Sequence, residues 1–524
     1  MALGSAQVQQ RFENPREILG DRLKEGSIYR LLADHGHQMF DDEYFSDLYT
    51  ESPKGRPTIP ARVMATVMVL QAFEGLSDRE ATDRLEVDLR WQAAAGVDTG
   101  CVAFHPTALV GQRNRLRASD RPRRLFEDTR VVAKETGAMK HRARVLDSTP
   151  IFDAVATEDT VTQLRASIRK LLTALEGAGS PLALIVRQAL MRNDDYATPG
   201  KPPCDWDDPA AREALVDALV KDAFAALEAL DGEVIPLTAV PAADLLALVA
   251  GQDTEPGEDG VFRIVRKVAR NRVISTTDTE ARHGHKSRNR RFDGYKAHLS
   301  VDPDSELIDE VVATPANTSD RDAASDLLAP VAEEEDKPEV LGDSAYADGA
   351  TRDTLEAKGF KLTAKCPPVR NATGLFTKDR FVVDLGTNTV TCPAGPVATI
   401  NPTRHGGGRA SFKAHCPTCP LRAACTKSRS GRTITVHPHE AILQRARAEQ
   451  TEPGWADRYR ADRPIVERKI AHFVRRSWGG RRARTRGLRR IATDLDTRAG
   501  AINWARLAAL GLGHDGNGWV LGGT

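Results

Sequence analysis

No run in this chain approaches the ~18 consecutive apolar residues that a membrane span needs. The first twenty residues also lack the charged-then-apolar order of a secretory leader, so cytoplasmic residence is the default expectation. Aromatic residues are sparse, at 5%. Charge of one sign is not in excess: the formal net charge is +1, and the whole-chain balance does not announce a polyanionic partner. Cysteine is scarce and odd in number, seven in all, which argues against a disulfide framework in a cytosolic-looking chain. No internal repeat stands out.

What remains is ordinary in amount and uneven in distribution. At 524 residues, 40% hydrophobic and 28% charged, the chain suits two to four globular domains. From Arg463 to Arg490 there are eleven Lys or Arg and one acid, Glu467. Such a segment can hold a polyanion locally, although a solvated basic face explains it equally well. Of the cysteines, Cys101, Cys204 and Cys366 are scattered, whereas Cys392, Cys416, Cys419 and Cys425 cluster.

Periodicity divides the chain. Residues ~15–135 read as helical. In PARVMATVMVLQAFE (60–74), Val63, Val67, Leu70 and Phe73 recur at helical spacing behind Pro60, and Gly75 and Ser77 read as a stop and a new N-cap. Two short helices around a tight turn suit a helix-turn-helix, although the pattern alone favours a plain helical bundle. Strand patterns appear at 142–155, 294–302, 306–314, 339–348 and 360–366, with helical candidates at 320–331 and 350–359 between the later ones. Strands interleaved with helices predict an α/β domain. An Ala/Leu-rich helical stretch fills ~160–250, and ~375–440 is rich in Gly, Pro, Cys and Thr. A helix is expected over 464–478.

Three acids fall at places where chemistry could be built. Asp147 and Asp343 are expected at strand ends, and Glu467 in the first turn of the 464–478 helix, bordering the stripe Val466, Ile470, Phe473 and Val474. Carboxylates gathered at a sheet edge suit Mg²⁺, a hard cation that needs few protein oxygens. Two such ions can activate a water or a 3′-hydroxyl at a phosphodiester. The plainer reading of Glu467 is an acid favoured by the helix dipole and paired with Arg463. Physics alone does not choose these three from 73 acids.

Ordered motifs choose them. VLDSTPI (145–151), EARHGHKSRNRRFDGYKAHLSVD (280–302), VLGDSAYAD (340–348) and RPIVERKIAHF (463–473) resemble, in that order, the first-Asp strand, the run into the second strand, the second-Asp strand and the Glu helix of bacterial insertion-sequence DDE transposases. The resemblance is closest to the group numbered 1182, related to the fourth insertion-sequence family. It extends to residues 55–98 and 105–117, which look like the helical domain associated with terminal-repeat recognition. It implies a ribonuclease-H-like mixed sheet at 141–500, interrupted by a helical insertion at 156–280 and a Cys-rich one at 375–440. An all-helical DNA-binding domain at 1–140 would precede this, and a tail at 501–524 would follow it. It further implies Asp147, Asp343 and Glu467 as catalytic ligands of two Mg²⁺ or Mn²⁺ ions, cleavage of terminal inverted repeats and joining to target DNA. The partners would be double-stranded DNA, with nucleoid association, and further copies in a homodimer or higher synaptic assembly. No Ser or Tyr nucleophile motif calls for a covalent protein–DNA intermediate. The alternative is a catalytically inactive DNA-binding regulator derived from such an enzyme. The family places a Tyr three residues before the Arg and a Lys seven after the Glu; here Tyr459 lies one residue further upstream and Val474 holds the Lys position.

Beside a catalytic Glu, the basic segments read as phosphate contacts: Lys286, Arg288, Arg290, Arg291 and Lys296 in one, Arg463, Arg475, Arg476, Arg481 and Arg482 in the other, with Trp478 free to stack on a base. Cys392, Cys416, Cys419 and Cys425 supply enough thiolates for one structural Zn²⁺, with His405 and His415 as alternative ligands. Small buried residues in a Gly/Pro-rich segment are the other reading.

Overall fold

The computed structural model describes residues 14–49, 58–267, 269–287, 289–366, 374–475 and 480–522. Arg288, Arg476 and Trp478 lie outside that set. Among the described residues, no helix is long and apolar enough to cross a membrane.

The turn chemistry read from the sequence operates in the N-terminal helices. Helix Ala61–Glu74 stops at Gly75, whose φ of 74° strains any residue with a Cβ. Ser77 opens helix Asp78–Val87 with a capping box: Glu80 N donates to Ser77 Oγ (3.2 Å) and Ser77 N to Glu80 Oε2 (2.7 Å). The predicted apolar stripe is only part of the picture. Val63, Val67 and Leu70 are buried but Phe73 is exposed, and burial is continuous from Val63 to Gln71. Helices Ile28–Met39, Asp78–Val87, Leu89–Ala95 and Leu488–Ala509 surround Ala61–Glu74. It is therefore a core helix. Of the supposed helix-turn-helix pair, Asp78–Val87 alone keeps a largely open face.

The C-terminal residues complete this core. Helix Leu488–Ala509 buries Trp504, Leu507 and Ala508 among the N-terminal helices, and Leu512 follows them. Its first half gives Ile491, Leu495 and Ala499 to the core against the sheet. Gly500 permits the closest approach, since a Cβ there would stand 2.4 Å from the Leu125 carbonyl oxygen.

Six strands form the main sheet: β1 (Ala143–Phe152), β2 (Arg282–Ser287), β3 (Arg290–Val301), β4 (Ile308–Pro315), β5 (Glu339–Gly342) and β6 (Leu362–Ala364). β3 pairs antiparallel with β1, β2 and β4, while β1, β5 and β6 run parallel. The fold is thus α/β with a mixed sheet. β3 accompanies β1 from Val145 to Phe152, but β5 accompanies it only from Ala143 to Val145. Beyond Val145 the parallel strands part. Pro150, with no N–H to offer a ladder, is tolerated on that one-sided stretch.

Between β1 and β2, helices Thr160–Gly177, Leu182–Ala189, Pro209–Glu228 and Val240–Gln252 enclose a core of their own around Leu164, Ile168, Leu219 and Leu246. After β6, two small three-stranded sheets share a core of Phe381, Val390, Ala410, Phe412 and Ile434. Helix Trp455–Phe473 then returns to pack on β1, β3 and β5, burying Val466, Ile470 and Phe473.

Candidate active site

The parting of β1 and β5 opens a cleft, and two acids sit at its mouth. Asp147 was expected at a strand end; it stands mid-strand in β1, opposite Leu299, just past the point where β5 stops pairing. Asp343 directly follows β5, and its Oδ1 accepts from Ala345 N (2.8 Å), which shapes the turn. Asp147 is largely buried. Ser148 N donates to its Oδ1 (2.7 Å), and Arg463 Nη2 stands 3.0 Å from its Oδ2. Burial pushes the Asp147 carboxyl above the usual range and nearby Asp343 adds to the rise, whereas Arg463 and the Ser148 N–H oppose it.

Glu467 reaches the same cleft from a helix that begins earlier than its sequence suggests. Pro464 was read as near a helix start, with Glu467 in the first turn; the helix begins at Trp455 and Pro464 lies inside it. An interior proline costs about 3 kcal/mol. Anchors N-terminal to Pro464 hold the helix in register. Tyr459 stacks on Trp455 (centroids 5.1 Å apart, planes 8°) and donates its hydroxyl to the Gly342 carbonyl (3.0 Å), while Arg463 grips Asp147. More than three turns from the N-terminus, Glu467 owes little to the helix dipole. Its side chain is 65% exposed, and its Oε1 lies 3.8 Å from Arg463 Nη1.

Tyr459, Arg463 and Glu467 follow one another at four-residue steps, so they share a face. Tyr459 thus faces the same side as Arg463 and Glu467. Its contact is with the carbonyl next to Asp343. Together Tyr459 and Arg463 pin the helix to both acid-bearing strands.

Asp147, Asp343 and Glu467 line one open cleft with Lys286, Lys296, Arg463 and Arg481. Arg481 arrives by backbone pairing: Phe152 N donates to Arg481 O (2.6 Å) and Ala483 N to Phe152 O (2.7 Å). Its Nε donates to Thr149 Oγ1 (3.1 Å). Lys296 is partly neutralised, because Nζ donates to Asp320 Oδ1 (2.9 Å) and Thr318 O (2.8 Å). Arg290, Arg291, Arg475 and Arg482 are exposed and do not line the cleft. Asp320 does, and sequence reasoning missed it; its place just beyond β4, read there only as a helical start, was the available signal.

Three carboxylates around one cleft are the right donor chemistry for a hard cation. Among the described residues, however, no three His, Cys, Asp or Glu side chains are grouped closely enough to hold a metal ion. Arg463 stands against Asp147 and Glu467 and supplies the positive charge there.

The four clustered cysteines share a cavity, although among the described residues no three of them are grouped closely enough to hold a metal ion. Cys392, Cys416, Cys419 and Cys425 line one small cavity with His415, Phe376 and Phe412. Arg432 N lies 3.3 Å from Cys416 Sγ. Burial pushes the Cys425 thiol up, Arg432 opposes this, and the other three cysteines reinforce it. All seven cysteines are free thiols. His405 does not line that cavity.

Two family models match segments of the chain. Residues 268–504 match the model described as Transposase DDE domain, and residues 17–115 match a second model described as Transposase domain. Both matched segments are thus similar to transposase domains. The DDE match contains β2 to β6 and the Trp455–Phe473 helix, hence Asp343 and Glu467. Asp147 falls between the two transposase matches and is joined to the DDE match by the β1–β3 ladder and Arg463. No curated protein and no solved structure matches the chain.

Proposed function

We propose that this chain is an insertion-sequence transposase that cuts the ends of its element and joins them to target DNA, with Asp147, Asp343 and Glu467 as its catalytic carboxylates. The observation that carries the proposal is their convergence: three acids, far apart in sequence and on three different elements, line one cleft walled by Lys286, Lys296 and Arg481. The order β4-β3-β1-β5-β6, with its change from antiparallel to parallel at β1, supports a ribonuclease-H-like reading of residues 141–500. The helical segment 156–280 and the Cys-rich segment 375–440 would be insertions in it, and the helices of residues 1–140 the DNA-recognition part.

Asp147 and Asp343 would hold Mg²⁺ or Mn²⁺, and Glu467 would have to turn in from the helix to join them. The chemistry that a pair of such ions supplies is activation of a water or 3′-hydroxyl and relief of charge on the leaving oxygen. The protein's own groups do the rest. Arg463 orients the largely buried Asp147 and balances its charge. Lys286 and Arg481 meet the phosphates flanking the scissile bond. Lys296, tethered by Asp320, places a further, partly neutralised positive charge at the cleft wall. The Arg290–Arg291 end of β3, with Arg475 and Arg482, lies outside the cleft, where it can contact DNA beyond the reacting phosphate. Bringing two ends together requires a second copy, so the active form is a dimer or larger. The thiolates of Cys392, Cys416, Cys419 and Cys425 would close a structural Zn²⁺ site with no open position for catalysis.

The test is a cleavage and strand-transfer assay on labelled duplexes bearing the element's terminal repeats. Mg²⁺-dependent joined products are expected from the wild type and none from Asp147→Ala, Asp343→Ala or Glu467→Ala. Joining that survives Asp147→Ala would sink the mechanism, and cleavage without joining would point to a nuclease.

A further inference from the structure

A second basic surface lies away from the acidic cleft, and neither the cleft nor its phosphate contacts use it. It is a trough along helix Thr107–Ala118, walled on the other side by the residues that follow Arg481. Two connected recesses of about 680 and 1600 Å³ share Asn114, Arg117 and Arg490. Arg486 and Arg489 line the first, Arg113 lines the second, and arginines outnumber the acids Asp78, Glu280 and Asp494.

Each acid is already partnered, Asp78 by Arg113 of the trough itself. Asp78 accepts from Gln71 Nε2 (2.7 Å) and pairs with Arg113, Glu280 accepts from Leu488 N (2.8 Å), and Asp494 pairs with Arg498. Arg489 donates to the Arg117 carbonyl, so the two chain segments bring like charges together. Burial pushes the Arg117 guanidinium below its ordinary range, and Arg490, Arg113 and Arg489 push the same way with no acid opposing them. A fold that gathers positive charge at a cost to itself offers a site for a polyanion.

Position identifies which polyanion. Arg481 lines the acidic cleft, and Arg486 lies five residues further on. Five residues span at most about 17 Å. A duplex rises about 3.4 Å per base pair. Arg481 in the cleft and Arg486 in the trough are thus no further apart along the chain than about five base pairs of duplex.

Resting on the transposase reading above, we propose that this trough grips the phosphates of the same DNA end on its inner flank, through Arg117, Arg486, Arg489 and Arg490. One continuous segment, residues 481–490, then serves as the ruler between the scissile phosphate and the flank. The contacts are to backbone phosphates and independent of base sequence.

The experiment measures binding of full-length protein to fluorescent duplexes of arbitrary sequence, 6 to 30 base pairs long, over a range of salt. The variants are Arg486→Ala/Arg489→Ala/Arg490→Ala and, separately, Arg117→Gln. A control variant loses three exposed basic residues of the Cys-bearing unit, Lys413, Lys427 and Arg429. On long duplexes the triple variant is expected to bind at least tenfold more weakly, with a salt slope shallower by about 2.7, three phosphates at about 0.9 each. Arg117→Gln should follow in the same direction, the control should match wild type, and on the shortest duplexes all should coincide. Wild-type affinity and salt slope in the triple variant would overturn the proposal. So would an equal loss in the control, or a loss independent of duplex length. Should the triple variant not fold, Arg117→Gln decides by the same criteria. Failure of the wild type to bind any duplex would instead count against the transposase reading itself.

Discussion

Replacing Arg463 with Met tests how the cleft is assembled. The guanidinium is 10% exposed, contacts an Asp147 that is 18% exposed, and leaves that carboxylate with the Ser148 N–H when removed. Breaking one side of a buried pair costs about 3 kcal/mol, most of it the penalty for the stranded charge. In an Asp147→Asn background there is no charge to strand, and the same replacement loses only packing and a neutral hydrogen bond, about 1 kcal/mol. The coupling between the two sites is then about 2 kcal/mol. Asp147→Asn alone strands the Arg463 guanidinium beside Glu467, and should also destabilise the fold, by about 1–3 kcal/mol, while abolishing strand transfer. Urea unfolding of the four proteins, with a fixed m-value, measures the cycle. Additivity within about 0.5 kcal/mol would refute the argument, because the contact would then carry no charge compensation.

Further outcomes follow from other parts of the fold. Arg144 and Asp309 form a fully buried pair at 2.7 Å linking β1 to β4, so Arg144→Met should cost about 3 kcal/mol in urea unfolding; a loss under 1 kcal/mol would mean that Arg130, 3.5 Å from Asp309, suffices alone. Burial pushes the Asp128 carboxyl up to about 6, so its contribution is fully present below pH ~4 and lost as pH rises through about 6. Asp128→Asn keeps an oxygen for the Tyr44 hydroxyl and should stabilise the protein by up to about 3 kcal/mol more at pH 7 than at pH 4; a pH-independent difference would contradict this. If the four clustered thiolates hold zinc, the purified protein should contain about one equivalent, and Cys416→Ser/Cys419→Ser should lose it and lower the unfolding temperature; metal-free wild type of unchanged stability would exclude the site.

Local signals in the sequence were read well where a short segment decides the structure. Gly75 and Ser77 act as stop and cap because both roles depend on neighbours within four residues. The strand segments emerged for the same reason, since alternation and β-branching are local. What escaped was set by long-range packing. Helix Ala61–Glu74 is surrounded on all sides, so its stripe is only a fraction of its buried surface. Helix Trp455–Phe473 runs through Pro464 because Tyr459 and Arg463 are anchored to strands more than a hundred residues away. Residues 501–522 looked like a tail because their partners, the N-terminal helices, lie at the other end of the chain. In the cleft, motif order singled out Asp147, Asp343 and Glu467. Asp320 and the salt link from Lys296 needed the β3–β4 ladder to become visible.

The claim that these three carboxylates form one metal-dependent site is tested most directly by locating Mn²⁺ through its anomalous scattering in crystals of the protein bound to a DNA end. The account predicts Mn²⁺ between Asp147 and Asp343, with Glu467 turned toward it and the scissile phosphate alongside Lys286 and Arg481. Mn²⁺ held elsewhere, or Asp147 and Asp343 too far apart to share an ion while DNA lies in the cleft, would contradict it.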